Sequence, residues 1–219
     1  ADVVDLIVGP DAYRNIPNLI EELNFNSKAI NTQLSLEETY SDIQPVRIDS
    51  NGVTAFISIT RGCENYCTYC VVPYTRGRER SRDPKSIIAE AKDLFDKGYR
   101  EVTLLGQNVN SYKWVETTEN GEDKTFGFSY LMEQVALVSP LLRVRFATSH
   151  PKDLSDELLN IIAKYDNICK FIHLPLQSGS SSMLARMNRK YDQEKYLNRI
   201  EAIKRIIPDC SIGTDIIAG

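Results

Sequence analysis

The chain has 219 residues, 42% hydrophobic and 26% charged, enough to bury one sizeable core. No run approaches the roughly 20 consecutive apolar residues that a membrane-spanning helix needs, and no basic-then-apolar signal pattern opens the chain, so a cytoplasmic globular protein without a membrane partner is expected. A net charge of -4 excludes a chain that coats nucleic acid along its whole surface, while leaving room for a local basic patch.

Residues 3–9 form a short apolar run ending in the Gly9-Pro10 turn, and Ile16, Leu19, Ile20 and Leu23 follow at helical spacing. The run starts without a turn or cap, so residues 1–25 are expected to be the remnant of an upstream domain. Residues 26–50 are polar, carry Pro45 and read as linker and edge structure. They lead through the turn dipeptide Asn51-Gly52 into a β-rich run at residues 54–60. Further strands are expected at residues 101–105, 143–147, 170–174 and 211–217.

Between the first two strands the pattern predicts a helix, with Asp83 as its cap, Pro84 in its first turn and Gly98 at its exit. Ile87, Ile88, Ala91, Leu94 and Phe95 form its buried stripe. Other helices are expected at residues 130–138, 156–164 and 194–206, whereas the polar segment 114–127 reads as a long loop. Strand, helix, strand in this order implies a parallel sheet with right-handed crossovers. Alternation alone suits a doubly wound sheet and a β/α barrel equally. Gly219 follows an apolar strand with no closing helix, so the core at residues 51–219 is expected to be truncated.

The chemistry concentrates in the loop after the first strand, where Cys63, Cys67 and Cys70 make a Cys-x3-Cys-x2-Cys motif. Three of five cysteines crowded into eight residues suit a shared metal centre in a reducing compartment better than a disulfide framework. Closed zinc and iron-sulfur sites normally take four protein ligands. Three cysteines on a cubane leave one iron free to chelate a small molecule through its amine and carboxylate. A structural zinc site closed by His150 or His173 is the competing assignment, with the fourth ligand about 80 residues away or more. Otherwise the two histidines read as hydrogen-bonded structural groups, and Cys169 and Cys210, with apolar neighbours, as buried structural thiols.

Residues 61–85 carry Arg61, Arg76, Arg78, Arg80, Arg82 and Lys85 against Glu64, Glu79 and Asp83, a net charge of +3. A solvated face is the ordinary reading of such a run; its place beside the cysteines makes phosphate contact the alternative. Ligands of parallel β/α folds sit beyond the carboxyl ends of the strands. Those ends release the cysteines, then Gln107 and Asn108, then Thr148, Ser149 and His150, then Gln177, Ser178 and Gly179. Such a polar set on one side suits a polar ligand.

The cysteine motif, with aromatic Tyr69 before its last cysteine, resembles the signature of the radical S-adenosylmethionine (SAM) superfamily. Arg61-Gly62-Cys63, the run from Cys70-Val71-Val72-Pro73-Tyr74 to Arg80-Ser81-Arg82, Leu104-Leu105-Gly106-Gln107-Asn108-Val109-Asn110, Leu174-Pro175-Leu176-Gln177-Ser178-Gly179 and Met187-Asn188-Arg189 narrow the likeness to the methylthiotransferases. Within them it is greatest to the tRNA-modifying, MiaB-type members, and residues 5–9 resemble the end of that family's N-terminal domain.

The resemblance implies an α/β fold, a partial TIM-like β/α barrel of the radical SAM type. It implies Cys63, Cys67 and Cys70 as catalytic ligands of a [4Fe-4S] cluster with an open iron. Tyr69 would lie near the adenine of SAM, with Gln107, Ser149 and Gln177 near its methionyl or ribose groups. The reduced cluster splits SAM in such enzymes to methionine and a 5'-deoxyadenosyl radical that activates a carbon-hydrogen bond. The implied product is methylthiolated isopentenyladenosine beside the anticodon, the partners being the tRNA anticodon stem-loop and an electron donor such as flavodoxin. A second [4Fe-4S] cluster belongs to the family's N-terminal domain; its three cysteines are absent here, and Cys169 and Cys210 are too scattered to replace them. This fragment is therefore expected to cleave SAM without completing methylthiolation. A ribosomal-protein aspartate methylthiotransferase and a non-catalytic metal module that binds RNA are the alternatives.

Overall fold

The computed structural model describes residues 3–43, 45–47 and 52–218, so Asn51 of the expected turn lies outside the described residues. Strand β1 (Leu6–Val8), helix α1 (Ile16–Glu22) and strand β2 (Ala29–Asn31) come first. β2 falls in the stretch expected to be linker and pairs in parallel with β1, Leu6 opposite Ala29. Leu19 is the buried member of the α1 stripe, while Ile20 stays exposed.

The expected first core strand divides. β3 (Thr54–Ser58) stays in the main sheet, and β4 (Thr60–Arg61) turns away, after helix α2 (Val72–Arg76), to pair antiparallel with β5 (Arg80–Ser81). Helix α3 (Pro84–Asp96) has the expected ends: the Asp83 carboxylate accepts from the backbone N–H groups of Lys85 and Ser86 at 3.2 and 3.0 Å, and Gly98 exits at φ +99°. Ile87, Ala91 and Leu94 are buried, with Ile88 and Phe95 packed partly buried beside them.

After β6 (Glu101–Leu105), residues 114–127 depart from the expected loop. β7 (Lys113–Thr117) and β8 (Asp123–Gly127) form an antiparallel hairpin, Trp114 opposite Phe126, closed by Gly121 at φ +79°. One face of this hairpin packs and the other is solvated, so its composition is that of a loop. Helix α4 (Phe128–Ala136), β9 (Arg143–Ala147), helix α5 (Asp156–Lys164), β10 (Phe171–His173), helix α6 (Ser181–Arg186), helix α7 (Gln193–Ile206) and β11 (Ser211–Gly213) complete the described chain. Two short helices, α2 and α6, were not anticipated, being too short for a periodic stripe.

β3, β6 and β9 are parallel and in step: Ala55, Val102 and Val144 share one level, and Ile57, Leu104 and Phe146 another. A parallel bridge from Val144 to Ile168 carries the order on to β10, which pairs in parallel with β11. The helices cover the face bearing those six side chains, all of them in the buried core. Ser58, Leu105 and Ala147, one register level on the opposite face, border a cavity. The result is a partial β/α barrel. Among the described residues no helix is long and apolar enough to cross a membrane.

The arginine run is neither wholly solvated nor wholly available to phosphate. Asp11, with its side chain 1% exposed, pairs with Arg80 at 2.9 Å and lies 3.7 Å from Arg61. Buried Glu90 pairs with both Arg82 and Arg47. Arg76 and Arg78 remain exposed. Cys169 and Cys210 are half-buried instead of buried, and Arg143 donates to the Cys169 sulfur at 3.3 Å.

Removing one partner of a buried ion pair strands the other charge. Asp11→Ala should therefore destabilise the chain by about 3 kcal/mol, measured as a lowered urea midpoint, with faster proteolysis of the β1–β2 segment.

Candidate functional site

The cysteine loop leaves β4 through Gly62, at φ +73°, where a Cβ would stand 2.0 Å from the Arg78 carbonyl oxygen. Only glycine fits that approach. The Cys63 N–H then donates to Gly77 O at 3.2 Å and the Cys70 N–H to Cys67 O at 2.9 Å. On its other side the loop meets the segment that ends α6. The Thr68 N–H donates to Met187 O at 3.1 Å, and the Asn188 amide donates to Tyr66 O at 2.7 Å. Arg189 donates to the Cys67 sulfur at 3.2 Å and to the Tyr69 hydroxyl at 3.3 Å.

Cys63, Cys67, Cys70, Tyr69, Gln107, Ser149 and Gln177, all singled out from the sequence, line one cavity of about 200 Å³ at the carboxyl ends of the strands. A neighbouring cavity of about 300 Å³ shares Gln107 and Thr148 with it. Asn108, also expected at a strand end, is not on the wall; its side chain turns to Asp153 at 2.6 Å. Gln177 adopts φ +67°, a left-handed backbone that costs a non-glycine residue energy. Two backbone bonds hold it there, from its own N–H to Asp215 O at 2.8 Å and from the Ile217 N–H to its carbonyl at 3.0 Å.

Charge on the wall follows burial. Burial pushes the Cys63 thiol up, and pushes the Tyr69 hydroxyl up to about 12 against the pull of Arg189. His150 is lowered to about 3, first by burial and then by Arg189, Lys152 and Lys195. Its Nδ1 accepts the Lys152 N–H at 3.2 Å, which leaves the proton on Nε2. Nε2 of His150 and Oγ of Ser149 are buried and have no hydrogen-bond partner among the described residues. Buried polar atoms call for partners, and a polar ligand in the cavity would supply them.

The radical SAM superfamily model matches residues 57–219. The chain belongs to the radical SAM superfamily. It is 59% identical, over 99% of its length and 46% of the relative's, to a tRNA-2-methylthio-N(6)-dimethylallyladenosine synthase of Amoebophilus asiaticus. A protein of the same name from Bacteroides fragilis is 58% identical over 99% of this chain and 46% of its own. The chain thus spans about half the length of the curated relatives it matches. Among solved structures, the radical SAM methyltransferase TsrM of Kitasatospora setae covers 75% of this chain and 30% of its own at TM-score 0.54 and 17% identity. The cobalamin-dependent radical enzyme OxsB covers 74% of this chain and 23% of its own at TM-score 0.53 and 12% identity. Both share its fold.

A radical SAM domain works with SAM and a [4Fe-4S] cluster, and the donor set here suits both. All five cysteines are free thiols. Among the described residues no three His, Cys, Asp or Glu side chains are placed to hold a single ion, although His150 and His173 do line the cavity. A cubane asks for a different spacing, because each thiolate binds its own iron and the sulfurs stand apart. Asn65, Arg189 and Asp215 line the same cavity without having been singled out for it, as does His173, named only as a possible zinc ligand. His173 Nε2 and Asp215 face each other at 3.2 Å. The Met187-Asn188-Arg189 motif was the available signal for Arg189; Asp215 had none, since only the path of the chain after β11 brings it to the wall.

Gly62→Ala should leave the circular dichroism spectrum nearly unchanged while lowering the iron bound on anaerobic reconstitution at least several-fold, since the added methyl must displace the Arg78 backbone. A second prediction concerns pH. The folded chain leaves His150 neutral down to about 3, whereas the unfolded chain protonates it near its ordinary 6.5. That part of the stability is complete above pH 6.5 and is lost on acidification toward pH 3. Between pH 7 and pH 5 the metal-free wild type should lose about 2 kcal/mol more than His150→Gln in urea titrations.

Proposed function

We propose that this chain is the SAM-cleaving part of a tRNA methylthiotransferase, with Cys63, Cys67 and Cys70 as the three ligands of its [4Fe-4S] cluster. One observation carries the reading: three thiols and four polar or aromatic groups from four different strand ends line a single cavity. The names of the relatives support tRNA, and dimethylallyladenosine within it, as the substrate of the whole protein. They do not favour a ribosomal-protein aspartate.

When bound, the cluster and SAM supply the reductive bond cleavage that opens an unreactive carbon-hydrogen bond, a task no side chain can perform. The protein's part is to bind, orient and exclude water. Cys63, Cys67 and Cys70 would hold the cluster through three thiolates, a donor set that leaves one position for a small chelating ligand such as SAM. Tyr69, on the cavity wall, would offer its ring to the adenine. Gln107, Ser149 and Gln177 would meet the methionyl and ribose groups, which would give Ser149 Oγ a partner. In this reading residues 51–219 are the catalytic core, residues 1–25 the end of a sulfur-donor domain carrying the second cluster, and residues 26–50 a linker that lends β2 to the sheet of that first segment. Electrons would come from a one-electron donor of the flavodoxin class, in the cytoplasm, where free thiols persist.

The test is anaerobic reconstitution with iron and sulfide, reduction, addition of SAM and measurement of 5'-deoxyadenosine. The wild type should be brown and form it, while Cys67→Ala stays at background. A colourless, zinc-binding wild type that forms none would overturn the assignment in favour of a non-catalytic metal module.

A further inference from the structure

Arg189 is half-buried, and its polar side-chain partners are Cys67 Sγ at 3.2 Å, the Tyr69 hydroxyl at 3.3 Å and the Tyr191 hydroxyl at 3.1 Å. Its guanidinium also lies over the Tyr191 ring, 5.0 Å from the centroid. Among the described residues no carboxylate forms an ion pair with it, and its strongest attractions are to Tyr191, Cys67 and Tyr69. A cation drawn partly out of water calls for a counter-charge. A neutral thiol and two phenols supply none. A thiolate of a [4Fe-4S] assembly does, since three thiolates around the oxidised core leave a net negative charge that grows on reduction.

The placement is held from both sides. Asn188, at φ +54°, ties the segment to Tyr66 O, and Thr68 ties the cysteine loop to Met187 O. Behind the guanidinium, the Tyr191 hydroxyl is anchored on Leu176 O at 2.8 Å. Arg189 thus meets the cysteine loop from 122 residues away in sequence, with its charge turned on one ligand sulfur.

We propose that Arg189 is a positioning residue for the cluster: it pairs the Cys67 thiolate and raises the cluster's reduction potential, easing entry of the electron that SAM cleavage consumes. The inference rests on the assignment of Cys67 as a ligand. One electron passes from an external one-electron reductant to the core, and no bond or proton changes at Arg189. Its attraction to the assembly rises because the assembly becomes more negative, which favours the reduced state.

Wild type, Arg189→Met and Arg189→Lys should be reconstituted anaerobically, analysed for iron and sulfide, and titrated potentiometrically with the reduced cluster followed by electron paramagnetic resonance. Arg189→Met should keep its iron yet have its reduction equilibrium weakened at least tenfold, a negative shift of about 59 mV for one electron. Arg189→Lys keeps the charge without the planar fork and should fall between the two. Full iron with an unchanged midpoint in both variants would refute the inference. If Arg189→Met holds no cluster, Arg189→Lys decides: a negative shift supports the role, and a wild-type midpoint removes it. A wild type that assembles no cluster on Cys63, Cys67 and Cys70 would instead remove the reading beneath it.

Discussion

The in-step pairing of β3, β6 and β9 is the constraint on which the site depends. Parallel strands without offset end at one level, so the loops after Ser58, Leu105 and Ala147 all open on the same side of the sheet. The Val144–Ile168 bridge extends that level to β10, and the Ser149 N–H donates to His173 O at 3.1 Å across the same rim. The buried face of the strands supplies the energy for this arrangement. Ile57, Leu104 and Val144 are each 0% exposed and pack beneath the helices, which leaves the opposite face free for cavities. A site made of four separate loops needs such a scaffold, because no loop alone could hold Cys67, Gln107, Ser149 and Gln177 together.

Electrostatics divide the arginines by task. Asp11 and Glu90 are buried acids that engage Arg61, Arg80, Arg82 and Arg47, and so fasten the early segment and α3 to the strand that feeds the cysteine loop. Buried ions persist where each has its counter-ion. Arg189 differs because its side-chain acceptors are two phenol oxygens and the Cys67 sulfur, and a ligated thiolate at that sulfur would supply the counter-charge. The same logic applies to the orphaned Ser149 Oγ and His150 Nε2, polar atoms whose burial is reasonable when a polar ligand faces them. Thiols, guanidinium and unpartnered polar atoms thus describe one cofactor-shaped need from different sides.

Much of this was legible in the sequence because it rests on local rules. Asp83, Pro84 and Gly98 bound α3 by backbone chemistry that involves only their neighbours, and the stripe from Ile87 to Leu94 follows from helical geometry. The Cys-x3-Cys-x2-Cys spacing names three thiols, and the structure brings all three to one cavity wall. The β7–β8 hairpin was hidden because a strand with one solvated face has the composition of a loop. β2 was hidden because three residues carry too little periodicity to register.

What the sequence by itself determined, then, is the chemistry available: an alternating α/β chain, three clustered thiols after the first strand, and polar groups at the strand ends. Tertiary structure alone decided which of those groups meet. Asn108 turned to Asp153, Arg80 and Arg82 went to internal acids, and Arg189 and Asp215 came to the cavity wall. The reason is physical: a cap, a turn or a motif spacing is set by atoms a few residues apart, whereas Arg189 and Cys67 are brought together only when the whole sheet has closed its register between them.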